Sequence, residues 1–87
     1  RSKGHTECDR WAKALAAYNG GLGWVQRDEA EAVRQGLDPL DWWGGVSRVN
    51  AGRSKENWKQ NRRYPDRILK VLTPRYVAAG WGPGVCS

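Results

Sequence analysis

Ala14-Leu15-Ala16-Ala17-Tyr18-Asn19-Gly20-Gly21-Leu22-Gly23-Trp24-Val25 is the stretch that sets the reading of everything around it. Its first half is a helix of small residues, which lets another backbone approach closely. It ends in a Tyr-Asn pair, and Asn and Gly tolerate the left-handed conformation that a helix exit requires. Glycines then form a flexible turn that opens a second helix. A Tyr hydroxyl and an Asn amide presented together at a helix exit can hydrogen-bond a neutral sugar. The same residues also fit a plainer use, with Tyr18 in the core and Asn19 as a cap.

Toward the amino terminus, Thr6 and Asp9 have capping-box spacing, and acidic residues in a first turn suit the helix dipole. The spacing predicts a helix from Glu7 to Tyr18 with Trp11, Ala14, Leu15 and Tyr18 on its inner face. Residues 1–5 read as a frayed end, and His5 as a solvated side chain. A second helix is expected from Leu22 to Gln35, with Leu22, Val25 and Val33 apolar, Asp28, Glu29 and Glu31 on a solvated face, and Gly36 as its exit. Asp38-Pro39 reads as an N-cap with Pro at the first helical position. That third element carries Trp42-Trp43 and breaks at Gly44-Gly45.

Ser47 to Arg63 is polar, basic and weakly periodic, and reads as loop. Pro65 is expected to restart a helix with Ile68, Leu69 and Leu72 inside. Thr73-Pro74 would cap a last short helix over Arg75–Ala79, ended by Gly80, and the tail WGPGVCS reads as coil with Trp81 packing against the core. Strand alternation and internal repeats are missing. The expectation is a single all-α domain over residues 1–87, with four to five short helices.

The chain has 87 residues, with six Trp and three Tyr but no Phe or Met. It is too short for a sheet-on-helix enzyme with a deep cleft. No run approaches the roughly 18 apolar residues of a membrane span, and no segment reads as a signal peptide. A start at Arg1 with no Met anywhere leads us to expect a carboxy-terminal piece of something longer. The net charge of +6 fits an acidic partner or ordinary solubility. Cys8 and Cys86 sit near opposite ends, and one His without a CxxC argues against zinc. A Cys8–Cys86 disulfide is expected, and with it an oxidising compartment such as the periplasm or the extracellular space.

The quoted stretch resembles the ALAAYNAGPGRV motif of the soluble-type lytic transglycosylases, which share the goose-type lysozyme fold. A-L-A-A-Y-N is intact, and Gly21, Gly23 and Val25 fall on its G-x-G-x-V; Leu22 replaces the usual Pro and Trp24 the usual basic residue. Downstream, Gln60-Asn61-Arg62-Arg63-Tyr64-Pro65-Asp66-Arg67-Ile68-Leu69 is similar to the family's E-T-R-x-Y-V-x-x-I-L. Arg62, Tyr64, Ile68 and Leu69 agree there, while Gln60 replaces Glu and Pro65 replaces Val. The resemblance spans residues 9–72, and the tail beyond it is similar to the end of a phage lysis enzyme (an endolysin).

The resemblance implies a lysozyme-like fold and a parent enzyme that cleaves peptidoglycan between N-acetylmuramic acid and N-acetylglucosamine. One protonated Glu gives its proton to the glycosidic oxygen and then takes the muramyl C6 hydroxyl proton, leaving a 1,6-anhydro product. That Glu and the G-L-M-Q-type stretch after it have no counterpart here. Glu7 precedes Tyr18 by 11 residues on one helix, which separates them by about 16 Å along the axis. Glu29, Glu31 and Glu56 lack the apolar setting that raises a carboxyl pKa. The catalytic acid is therefore expected upstream of Arg1, in an amino-terminal part that would act as partner.

By resemblance Tyr18 would hold that Glu, Asn19 would contact a sugar N-acetyl group and Tyr64 would line the same site, with Gly20 and Gly21 forming the turn beside them. Trp42 is a candidate for stacking on sugar, with core packing as the alternative use. No cofactor, metal or nucleic acid is expected; glycan strands in the bacterial envelope or outside the cell are. A module that keeps the glycan groove without the acid is the competing function.

Overall fold

The computed structural model describes residues 3–80 and Cys86. Helix α1 spans Glu7–Gly20 and α2 Leu22–Arg34, followed by irregular turns, a 3-10 turn at Val46–Arg48, α3 over Lys55–Asp66, a π-helical segment over Arg67–Leu72, and α4 over Thr73–Ala78. The described residues contain no strand, so the class is all-α. Helix α1 packs against both α2 and α3, and α2 against the 3-10 turn.

Helix α1 begins as the capping box requires. The Thr6 hydroxyl oxygen accepts from the Asp9 N–H at 3.0 Å, and Asp9 accepts in return from the Thr6 N–H at 3.2 Å. Its inner face, however, differs from the expected one, of which Leu15 alone packs against the core. Asp9, Ala12, Lys13 and Ala16 are buried, while Trp11 is 48% and Tyr18 83% exposed. At 100° per residue these two sets lie on opposite sides of the helix. The small residues turn inward because α2 and α3 come close there. The Asn61 amide reaches the Ala16 carbonyl at 2.9 Å, an approach that a large side chain would block. The buried Lys13 ammonium donates to Glu29 at 2.7 Å and to the Pro39 carbonyl.

Helix α2 buries Val25, Asp28 and Ala32, again at helical spacing, whereas Leu22 and Val33 face solvent. Asp28, expected among solvated acids, is the most deeply placed carboxylate, with no exposed surface. Two guanidiniums, from Arg53 and Arg62, close on it.

Asp38-Pro39 starts consecutive turns rather than a helix. Asp38 Oδ1 accepts from the Leu40 N–H at 2.8 Å, and Asp41 Oδ1 from the Gly44 N–H at 3.0 Å. Such side-chain bonds compete with helical ones. A Cβ on Gly45 would lie 2.1 Å from the Asp38 carbonyl oxygen, so this turn closes only on glycine. His5 is part of the same construction and is not frayed: its N–H donates to the Leu40 carbonyl at 3.0 Å and its ring meets Asp38.

The stretch expected as loop contains α3, capped by the Ser54 hydroxyl, which accepts from the Asn57 N–H at 3.2 Å. Its inward side is Trp58, Asn61, Arg62 and Pro65, followed by Leu69 (spacing that is helical but mostly not apolar). Hydrophobic periodicity therefore passes over it. Pro65 lies inside the helix and does not begin it. The core is Ala12, Ala16, Val25, Ala32, Trp42, Val46, Val49 and Leu69. Cys8 and Cys86 are joined as a disulfide, with Cα atoms 4.9 Å apart. The expected coil of the tail and the packing of Trp81 lie outside the described residues. No helix among the described residues is long and apolar enough to cross a membrane.

Candidate functional site

The end of α1 gathers most of the expected site. Tyr18 projects into solvent, and its ring centroid lies 6.4 Å from that of Tyr64 on α3, with the planes 28° apart. Asn19 follows on the same turn. Its side-chain oxygen accepts from Asn61 Nδ2 at 3.2 Å. Asn61 is itself fixed at both ends: Nδ2 also donates to Ala16, and Oδ1 accepts from Arg62 Nη1 at 2.6 Å. This chain of donors orients both amides, and the NH2 group of the exposed Asn19 has no hydrogen-bond partner among the described residues. Gly20 permits the contact, because a Cβ there would lie 2.7 Å from Asn61 Nδ2. Gly21, at φ +105°, turns the chain directly into α2.

Beside this corner lies an open cleft of about 300 Å³ lined by Asn19, Gly20, Trp24, Arg53, Asn57, Gln60 and Asn61. Four of these residues carry side-chain amides, a lining suited to hydroxyl and acetamido groups, which both donate and accept. Arg27 and Arg53 each approach the Trp24 ring, at 4.9 and 5.1 Å from its centroid.

Trp42 does not join the site. It is 1% exposed, and the Arg62 guanidinium lies 4.9 Å over its ring, leaving no face for a sugar. Trp43, its neighbour, donates through Nε1 to Asp66 at 2.7 Å. Trp11, expected inside, is half exposed. Four residues that the sequence reading did not assign to the site support it: Asn61, Arg53, Trp24 and Asp28. Asn61 and Trp24 stood within the quoted motifs, yet nothing in their spacing says that one aligns Asn19 and the other flanks a buried arginine. Arg62 agrees with the family motif and works as scaffold here. It donates to Asp28 and to the carbonyls of Val46, Ser47 and Val49. Burial lowers its pKa, and Asp28 works against that shift.

Glycosidic cleavage needs a proton donor, ordinarily a carboxyl group, and the chain's carboxylates are the candidates. Three have displaced pKa values, Asp9, Glu31 and Asp38, and all three are displaced downward. A general acid needs the opposite shift. Burial pushes Asp9 up, but hydrogen bonds from the Trp42 N–H, the Thr6 hydroxyl and the Thr6 N–H together outweigh it. Hydrogen bonding by Gln35 and then Arg34 lowers Glu31, and the Leu40 N–H and then His5 lower Asp38. Glu7 lies in the first turn of α1, at the far end from Tyr18. Among the described residues no group of His, Cys, Asp and Glu could hold a metal ion. Comparison with protein-family models, curated proteins and solved structures finds no significant match for this chain.

Proposed function

We propose that this chain forms one wall of the glycan groove of a peptidoglycan-cleaving lytic transglycosylase domain, with the general-acid Glu contributed from outside its 87 residues. The observation that carries this reading is the meeting of the two motif segments. Tyr18-Asn19 and Tyr64, far apart in sequence, converge at one exposed corner, with the tyrosine rings 6.4 Å apart.

Each group has a defined task there. The NH2 of Asn19 donates to the carbonyl of a sugar acetamido group. The exposed Tyr18 hydroxyl orients the acid that protonates the glycosidic oxygen, and Tyr64 buttresses the Tyr18 ring. The acid itself is assigned to a carboxyl group, since phenols as a class are weak donors near neutral pH. The disulfide supports an oxidising compartment, the bacterial envelope or the space outside the cell.

The test uses the chain as it is. Incubated with peptidoglycan sacculi, it releases no 1,6-anhydromuropeptides above a heat-killed control. Chito-oligosaccharides titrated into the 15N-labelled chain shift the Asn19 side-chain amide, with millimolar affinity of about −4 kcal/mol. Tyr18→Ala removes that shift, Asn19→Ala removes the glycan response of the Trp24 indole in the same cleft, and each changes stability by less than about 0.5 kcal/mol, since both side chains are exposed. Release of anhydro products would place an acid inside the chain, and an unmoved Asn19 resonance would end the glycan reading.

A further inference from the structure

The buried charges around Asp28 do not balance. One carboxylate with no exposed surface faces two guanidiniums that are 7% and 10% exposed, from Arg53 and Arg62, which leaves one positive charge in excess. Asp28 is fully used: Oδ1 accepts from the Ala51 N–H at 3.0 Å and from Arg53 Nη1 at 3.3 Å, and Oδ2 accepts from both guanidiniums. Arg62 is also spent, on Asp28, the Asn61 amide and three backbone carbonyls. Arg53 is different. Its guanidinium bonds to Asp28 only, and its Nε is buried without a hydrogen-bond partner among the described residues. A buried donor left unmade is costly, and it is the rare exception in folded proteins. The unused donor falls on one of the two guanidiniums that share the surplus charge, and that side chain lines the amide-rich cleft next to Asn19.

We propose that this cleft is a carboxylate-binding subsite anchored by Arg53. A planar monoanion fits this setting: it cancels a single surplus charge and is the natural acceptor for a guanidinium edge left without a partner. The exposed amides of Asn57 and Gln60 stand at the rim to orient the group that carries the carboxylate. The Arg27 guanidinium, 4.9 Å from the centroid of the Trp24 ring, adds a second cation at the edge. Resting on the glycan reading, the proposal assigns the acidic substituent of the substrate to this cleft, whether it is a carboxylate on the sugar or one at the end of an attached peptide.

The experiment follows the Arg53 Nε–Hε and Trp24 indole resonances of the intact, disulfide-bonded chain. Four probes are titrated: N-acetylmuramic acid, the neutral N-acetylglucosamine, N-acetyl-D-alanine as a peptide carboxylate, and inorganic phosphate. N-Acetylmuramic acid is expected to bind about tenfold more tightly than N-acetylglucosamine, the size of one charge-assisted hydrogen bond, and to shift the Arg53 Nε resonance. Saturable binding of N-acetyl-D-alanine at the same resonance assigns the cleft to the peptide source, and its absence assigns it to the sugar. Gln60→Glu adds a negative charge at the exposed rim without touching the Asp28 cluster, and is expected to erase the difference between the two sugars. Arg53→Gln should do the same, and Gln60→Glu keeps the test open if that variant fails to fold. Equal affinity for the acidic and neutral sugars together with no response to N-acetyl-D-alanine, or a preference for phosphate, would overturn the subsite while leaving the glycan groove standing. A carboxylate response from N-acetyl-D-alanine with no response to either sugar would keep the subsite and remove the glycan reading.

Discussion

At Asp28 a carboxylate sealed from solvent takes hydrogen bonds from two arginines and one backbone N–H, tying α2, the segment after the 3-10 turn, and α3 together. Removing its charge would strand two buried guanidiniums. Asp28→Asn is expected to cost about 3–5 kcal/mol, the usual penalty for breaking a buried ion pair from one side, read as a lower urea midpoint with unchanged slope. Asp9 makes a different prediction. Its folded pKa is held below its unfolded value, near 3.9. The stability it contributes is therefore present above that value and is lost as pH falls through the folded pKa. Asp9→Asn should flatten the acid limb of the stability–pH curve below about pH 4, a difference visible in denaturation series between pH 2 and 6.

Among the elements, the turns after α2 depend most on a single atom. Gly45 sits where a Cβ would overlap the Asp38 carbonyl at 2.1 Å, and that backbone cannot step aside without releasing the Asp38 and Asp41 turns. Gly45→Ala is expected to destabilise by about 3 kcal/mol, at the upper end for overpacking, measured by thermal and urea denaturation. The extents of α1 and α2 were legible because their signals are local: the Thr6–Asp9 box and the Gly20-Gly21 exit need no knowledge of neighbours. Which face of α1 turned inward was not legible. Trp11, Ala14 and Tyr18 belong to the more apolar stripe, yet close approach by α2 and α3 selected the side made of small residues, with Leu15 at its margin and Asp9 and Lys13 paired inside. Helix α3 was hidden for a related reason. Asn61 and Arg62 occupy positions where a reader looks for Leu or Ile, and their partners lie far away in sequence. In the candidate site, the meeting of Tyr18 and Tyr64 at one corner was legible from the two motif segments. Burial of Trp42 and the role of Asn61 depended on tertiary contacts that no spacing encodes.

At the scale of the whole molecule, the bond between Cys8 and Cys86 spans 78 positions of sequence. Alkylation without prior reduction should add no mass at either cysteine. Cys8→Ser with Cys86→Ser is expected to lower stability by about 4–5 kcal/mol in the chain-entropy description, read from denaturation of the two forms. The same bond turns the polypeptide from a line into a ring. A line cut once falls into two pieces, but a ring cut once only opens. A single proteolytic nick at the exposed glycine turns, Gly36 or Gly52, would leave every helix tethered and the mass unchanged but for one added water. Those turns are equally places where a cut is tolerated, because the bond keeps the segments on either side of it together.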